Sequence, residues 1–221
     1  ENICMGWERK RGKLREFNML TRGIKVTSYV NENILKDIGH ISYIITIDED
    51  TELPKDAACR LIGTIDHPLN KPVLSSSGDR VERGYGIIQP RVSVRLALAS
   101  RSLFSRLFSA VSGIDSYSSA VSDVYHDLFD SSLFFGKGIY DIDAVEKTMR
   151  KKIPDNLLLS HDLLEGLFTR VGFASTVVLF DGFPYFYHEF MIRLERWIRG
   201  DWQIIGWIKK EYHPKGALES T

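Results

Sequence analysis

Cysteine, net charge and long apolar runs are all scarce in this sequence, and each scarcity excludes something. Its two cysteines, Cys4 and Cys59, stand far apart without CxxC or Cys/His ligand spacing, which argues against a structural zinc site and a disulfide framework and fits a reducing, cytosolic setting. Lys plus Arg number 29 and Asp plus Glu number 29, so no global field draws the chain onto nucleic acid or an anionic membrane, and charge-driven chemistry has to be local. The longest nearly continuous apolar stretch, Ile41 to Ile47, falls far short of the roughly 20 residues a membrane span needs. No signal-peptide pattern opens the chain, because Arg9, Lys10 and Arg11 follow closely on Glu1. Beginning at Glu, the sequence reads as a piece of something longer. What is there is ordinary globular material, 43% hydrophobic and 26% charged over 221 residues, at the upper end of what one domain holds. A single, partial domain over 1–221 is expected.

Patterning along the chain predicts alternating strands and helices. Apolar residues at loosely helical spacing on a basic background predict a surface helix within residues 1–22, closed by Gly23. Ile41 to Ile47 is β-branched and almost uninterrupted, the pattern of a strand covered on both faces. It ends in Asp48-Glu49-Asp50, after which Pro54 opens a helix whose apolar positions Ala57, Ala58, Leu61, Ile62 and Ile65 run up to His67-Pro68. Val73 to Arg83 reads as a loop or irregular hairpin, and Tyr85 to Pro90 as a short strand stopped by proline. A helix is expected from Val92 to Val111, a strand over Ser131 to Phe135 delivering Gly136-Lys137-Gly138, and a short helix from Asp143 to Lys152. Ser160 to Val171 reads as a helix closed by Gly172, Ser175 to Phe180 as a buried strand, and Glu189 to Lys210 as a long helix dense in Trp and Arg. The alternation predicts an α/β layer structure with a mostly parallel central sheet.

Three clusters carry candidate chemistry. Asp48 and Asp50 stand at the carboxyl end of a strand, where α/β sheets bind ligands, and alternate residues of extended chain point the same way. Two such carboxylates suit a hard cation, Mg²⁺ or Mn²⁺, shared with a diphosphate, although an acidic loop favouring the next helix's N-terminus has the same composition. Ser160-His161-Asp162, with Glu165 three residues beyond Asp162, offers a base but is also the pattern of a helix capping box. Arg193, Arg196 and Trp197 lie on the last helix, its arginines spaced to clamp phosphate oxygens or simply to extend over a tryptophan-rich core.

Asp-x-Asp after a strand, an Asp opening a helix about a hundred residues on, and Arg-x-x-Arg-Trp beyond it resemble, in order and spacing, the inverting family 2 glycosyltransferases. The segments Gly6–Gly12, His67–Asn70, Gly84–Arg91, Gly136–Asp141, Ser160–Gly166 and Arg196–Gln203 narrow this. Together they resemble the glycosyltransferase domain of bacterial cyclic β-1,2-glucan synthases over nearly the whole chain. The resemblance implies a GT-A nucleotide-sugar fold and inverting transfer of glucose from UDP-glucose to a growing β-1,2-glucan acceptor. It implies Asp162 as catalytic base, Asp48 and Asp50 as ligands of Mg²⁺ or Mn²⁺, and Asp48, Asp50, Lys137, Arg193, Arg196 and Trp197 as the donor-binding set. It also implies a parent protein embedded in the bacterial inner membrane through segments absent here, with this part on the cytoplasmic face.

The sequence departs from the wider pattern in places. His161 stands where Glu is usual and Arg193 where Gln is usual. No strand-plus-Asp unit for uridine precedes Ile41, so an N-terminally truncated domain is expected. Two rival readings remain: a non-catalytic nucleotide- or glycan-binding fragment, and a glycoside hydrolase or phosphorylase, which needs paired carboxylates but no Arg-x-x-Arg-Trp.

Overall fold

A computed structural model describes residues 8–24, 28–29, 40–95, 100–112, 124–149, 152, 158 and 161–211. Helix α1 (Arg9–Thr21) leads to strands β1 (Tyr43–Thr46) and β2 (Thr51–Glu52) and helix α2 (Ala57–Asp66). A 3-10 turn, Pro68–Asn70, precedes the hairpin β3 (Val73–Leu74) and β4 (Val81–Arg83), and the long strand β5 (Ile87–Val94) follows. Then come α3 (Leu103–Ser112), α4 (Val124–Phe129), β6 (Gly138–Asp141), α5 (Ile142–Met149), α6 (Asp162–Thr169), β7 (Val171–Asp181) and α7 (Tyr187–Glu211).

Five strands form a mixed sheet in the order β1-β6-β5-β7-β2. Only β5 and β7 pair in parallel, while β1–β6, β5–β6 and β2–β7 are antiparallel. The expected mostly parallel sheet is corrected accordingly. β1, β5 and β7 all run the same way, but β6, reached from β5 through α3 and α4, inserts between β1 and β5 in the opposite direction, and β2, a short loop after β1, runs antiparallel beside β7.

Register builds the two faces. Ile45, Ile139 and Ile88 lie in one cross-strand row and Ile44, Tyr140, Ile87 and Val171 in the next, so the pleat sends the two rows to opposite sides. The first row packs under α2, whose Ala57, Leu61 and Ile65 recur every fourth residue and are buried against it with Val177 and Leu179. On the second side, Ile142 and Phe134 close over Tyr140, Ile87 and Val171, and the Tyr140 hydroxyl donates to Asn18 Oδ1 of α1 at 2.8 Å. The result is three layers: α2, the sheet, and a layer of α1, α5 and α6.

Several boundaries differ from expectation for identifiable reasons. β1 is an edge strand among the described residues and mostly half-buried, because its only strand partner there is β6. Pro90 does not stop β5: the pairing with β7 shifts register between Pro90 and Arg91, and a bulge tolerates the missing N–H. The helix expected from Val92 begins only at Leu103, because Val92 and Val94 complete β5 beside Leu179 and Asp181. Residues 131–135 are not a strand but an extended segment tied down by bonds such as Phe135 N–H to Gln89 Oε1 at 2.8 Å. Gly172 lies inside β7 rather than closing a helix; α6 ends at Thr169, and Arg170, at φ 54, makes the turn. Among the described residues no helix is long and apolar enough to cross a membrane.

Candidate functional site

Antiparallel pairing of β1 with β6 sets Thr46 opposite Gly138, which brings Asp48, two residues past β1, beside Lys137, one residue before β6. Pairing of β2 with β7 sets Thr51 opposite Asp181. Asp48, Lys137 and Asp181 therefore meet where β1 and β7 end. Lys137 Nζ donates to Asp181 Oδ2 and stands 3.2 Å from Asp48 Oδ2. Asp181 is 1% exposed, and its other oxygen accepts from the Thr51 hydroxyl at 2.6 Å. From α1, Lys10 Nζ reaches Asp48 Oδ1 at 2.7 Å and the Gly136 carbonyl at 2.6 Å. Burial pushes the Asp48 carboxyl up, but Lys10 and Lys137 outweigh it and hold it below the usual carboxylate range. Lys137 shows the reverse: burial disfavours its charge, and the Asp181 and Asp48 carboxylates overcome that and raise it.

Asp50 lies on the far side of the same loop. Its carbonyl accepts from Gly182 N–H at 3.1 Å, and its carboxylate stands 3.5 Å from Arg193 Nη2. So one arginine of α7 reaches the cluster. Arg196 is exposed and Trp197 half-buried; Arg199 pairs with Glu195 on its own helix at 2.7 Å. The arginines do not act as one clamp in this arrangement.

Asp162 opens α6 against the Gly136-Lys137-Gly138 turn. Gly136 has φ 79, and a Cβ there would sit 2.9 Å from Asp162 Oδ2. Only glycine accepts both that backbone and that proximity. Gly138, at φ 151, would place a Cβ 2.4 Å from the Ile88 carbonyl, so both glycines hold Lys137 close to the sheet end and Asp162 close to Lys137. Burial pushes the Asp162 carboxyl up; Lys10 and Lys137 oppose this and the Asp48 charge adds to it.

The capping expected of Glu165 is not made. His161 is the N-cap of α6 and makes no side-chain capping bond, and Glu165 instead lines a cavity of about 710 Å³ between α1, β6, α5 and α6, with Asp162 and Tyr140. Burial, and then the Asp162 charge, push Glu165 up, against Arg11 and Lys10. His161 is 8% exposed with a partnerless Nδ1, and its pKa is pushed down to about 4 by burial and by Arg11, so it is a neutral imidazole.

Fit to a divalent cation follows from this chemistry. Both Asp48 oxygens face ammonium groups, Asp50 faces a guanidinium, and among the described residues no group of three or more His, Cys, Asp or Glu is arranged to hold a metal ion. In this arrangement the carboxylates are already neutralised by side chains and do not fit the expected Mg²⁺ or Mn²⁺. Sequence reasoning had singled out Asp48, Asp50, Lys137, Asp162 and Arg193, and the structure gathers all five around the strand ends. It had missed Lys10 and Asp181, and had read Glu165 as a capping residue. Asp181 carried the same signal as Asp48, an acid directly after a buried strand, whereas nothing distinguished Lys10 from its basic neighbours.

Charged side chains gathered where β1, β5 and β7 end, next to a cavity lined by Asp162 and Glu165 among other charged groups, belong to an α/β domain with a mixed sheet. No family model matches the chain. Over 219 residues the chain is 42% identical to the cyclic beta-(1,2)-glucan synthase NdvB of Rhizobium meliloti (strain 1021), a match covering 99% of this chain and 8% of that protein. The chain is thus related to a segment of that synthase.

Proposed function

We propose that this chain is the core of an inverting glucosyltransferase domain of GT-A type that moves glucose from UDP-glucose to a growing β-1,2-glucan, in a parent protein seated at the cytoplasmic face of the inner membrane. The observation that carries it is the Asp162 carboxyl packed on the Gly136-Lys137-Gly138 turn whose lysine bridges Asp48 and Asp181. A base packed against a turn that carries a cation suited to phosphate is what displacement at an anomeric carbon needs. The relation to a glucan synthase supports the same reading.

In this proposal Asp162 takes the acceptor hydroxyl proton while that oxygen bonds to the anomeric carbon from the face opposite the diphosphate. The carbon–oxygen bond to the diphosphate breaks with its electron pair going to UDP. Lys137, Lys10 and Arg193 offer N–H donors to the leaving diphosphate oxygens, with Arg196 and Trp197 further along α7 on the acceptor side. A test is transfer of labelled glucose from UDP-glucose by the full-length protein carrying Asp162→Asn, with UDP binding measured in parallel by calorimetry. Transfer should fall by about 10² to 10⁴ with UDP affinity nearly intact. Near-normal turnover would refute the assignment, and label appearing from a sugar phosphate but never from UDP-glucose would favour a phosphorylase.

A further inference from the structure

Glu165 is one helical turn past Asp162 on α6, so the two carboxyl groups lie on neighbouring parts of one face, and both line the same cavity. The cations that approach are engaged elsewhere. Lys10 pairs with Asp48 at 2.7 Å, and Arg11 with Glu8 at 2.7 Å between side chains that are both largely buried. Arg22 pairs with Asp143 at 2.6 Å, at the α5 end of the wall. On the β6 side the Tyr140 hydroxyl donates to Asn18, and Asn18 in turn donates to Glu146 of α5 at 3.0 Å. Within α6, His161 is a neutral imidazole. No side-chain hydrogen bond or ion pair to the Glu165 carboxyl exists among the described residues. Arg15 and Lys147 complete the charged groups of the wall.

Two carboxyl groups in one partly dry cavity, without a committed cation between them, cannot both ionise at neutral pH without strong mutual repulsion. We propose that Asp162 and Glu165 work as a carboxyl dyad holding one proton between them, with Glu165 the member that keeps it, so that Asp162 meets the acceptor as a carboxylate. Glu165 is then a positioning residue that acts through Asp162. The upward push on both groups agrees with this order. The proposal rests on the reading of Asp162 as base. The proton balance closes: Asp162 receives the acceptor's proton, the dyad briefly holds two, and one leaves through the cavity to restore the starting state. Losing the remaining proton at higher pH would add a second negative charge beside the diphosphate site, which opposes donor binding.

The experiment has two readouts. Carbon-13 NMR of the Asp and Glu carboxyls in this chain should show Asp162 and Glu165 titrating together in two steps, and Glu165→Gln should reduce Asp162 to one step. Asp162→Asn is the reciprocal variant should Glu165→Gln fail to fold, and it should reduce Glu165 to one step nearer the ordinary carboxylate range. In the full-length protein, transfer from UDP-glucose should lose about tenfold per pH unit above its alkaline limb. Glu165→Gln should remove that limb, raising the ratio of the rate about two pH units above neutrality to the rate at neutrality by roughly tenfold or more. A Glu165 that titrates alone in the ordinary range, or an Asp162 curve unchanged by Glu165→Gln, overturns the dyad. If the two-step titration is found but Asp162→Asn still turns over normally, the base assignment falls and the dyad stands.

Discussion

Replacing Lys137 by methionine removes the only cation bonded, among the described residues, to the Asp181 carboxylate, which is 1% exposed. The Lys137 side chain is itself 11% exposed, so neither partner of the Asp181 pair has solvent to fall back on. Breaking a buried pair by deleting one member typically costs about 3–5 kcal/mol, because the remaining charge is left uncompensated. The Thr51 hydroxyl still donates to Asp181 at 2.6 Å, but a neutral donor does not balance a charge. Asp48 adds little to this cost, since its carboxylate is 42% exposed and water screens it. For a chain of this length, Lys137→Met is expected to lower the melting temperature by roughly 6–20 °C, at about 2–4 °C per kcal/mol. Adding Asp181→Leu should recover most of that loss, leaving a deficit of about 1–3 kcal/mol for the Thr51 hydroxyl deprived of its acceptor. The double variant then separates stability from binding: refolded but lacking the cation at the strand ends, it should still bind UDP more weakly than the parent chain by calorimetry. Thermal and urea denaturation of the four proteins of the cycle give the coupling directly. A loss below about 1 kcal/mol in Lys137→Met, or strictly additive effects in the double variant, would refute the buried-pair argument.

Gly136→Ala places a methyl group 2.9 Å from Asp162 Oδ2 at a φ of 79; it should depress turnover by more than it weakens UDP binding, and equal losses in both would mean that Asp162 does not depend on this contact. Stability should fall as pH rises from the unfolded carboxylate range, about 4, through the raised values of Asp162 and Glu165 and then level off, because the folded state binds more protons there than the unfolded one. Glu165→Gln should flatten that decline in denaturation measured against pH, whereas Asp48, held low, contributes stability that is present above its unfolded value and lost as pH drops through its folded one. Lys10→Ala frees one Asp48 oxygen; Mn²⁺ affinity by paramagnetic broadening should rise, and tight Mn²⁺ binding by the unsubstituted chain would overturn the account of Asp48 as already neutralised. Arg193→Lys should weaken UDP binding more than Arg196→Lys, since only the former reaches Asp50, and the reverse order would return the clamp to the exposed face of α7.

Element type was legible in the sequence wherever an apolar period ran uninterrupted: α2 with its stripe of Ala57, Leu61 and Ile65, β7 with its continuous run, and α7. Pairing direction was not, because period and composition describe one strand's environment and not its neighbour's orientation. β6 shows why. Gly138 to Asp141 is short, begins at a glycine with φ 151 and follows an extended segment that looked more like a strand than it did. Its insertion between β1 and β5 turns two would-be parallel neighbours into antiparallel pairs. Pro90 misled for a related reason: a proline rule presumes a regular ladder, and the ladder shifts just there.

The site divides along a physical line as well. Asp48 and Asp181 both carry a legible signal, an acid directly after a buried strand, although only Asp48 was taken up; Lys10 carries none, because a lysine is ordinary wherever it stands, and nothing in the sequence tied Lys137 to Asp181. Lys10 lies 38 residues from the Asp48 it pairs with and Lys137 lies 44 from Asp181, separations across which no local spacing rule operates. Charge balance supplies the missing inference. Asp181 at 1% exposure cannot persist as a lone carboxylate, so a buried acid at the end of β7 already requires a cation from some distant segment. The segment best placed to deliver it is the one whose glycines allow close approach to both the sheet and Asp162. Gly136-Lys137-Gly138 is that segment, and a cation held there for the sake of Asp181 also stands beside Asp162, where the proposed transfer would need one for its departing diphosphate.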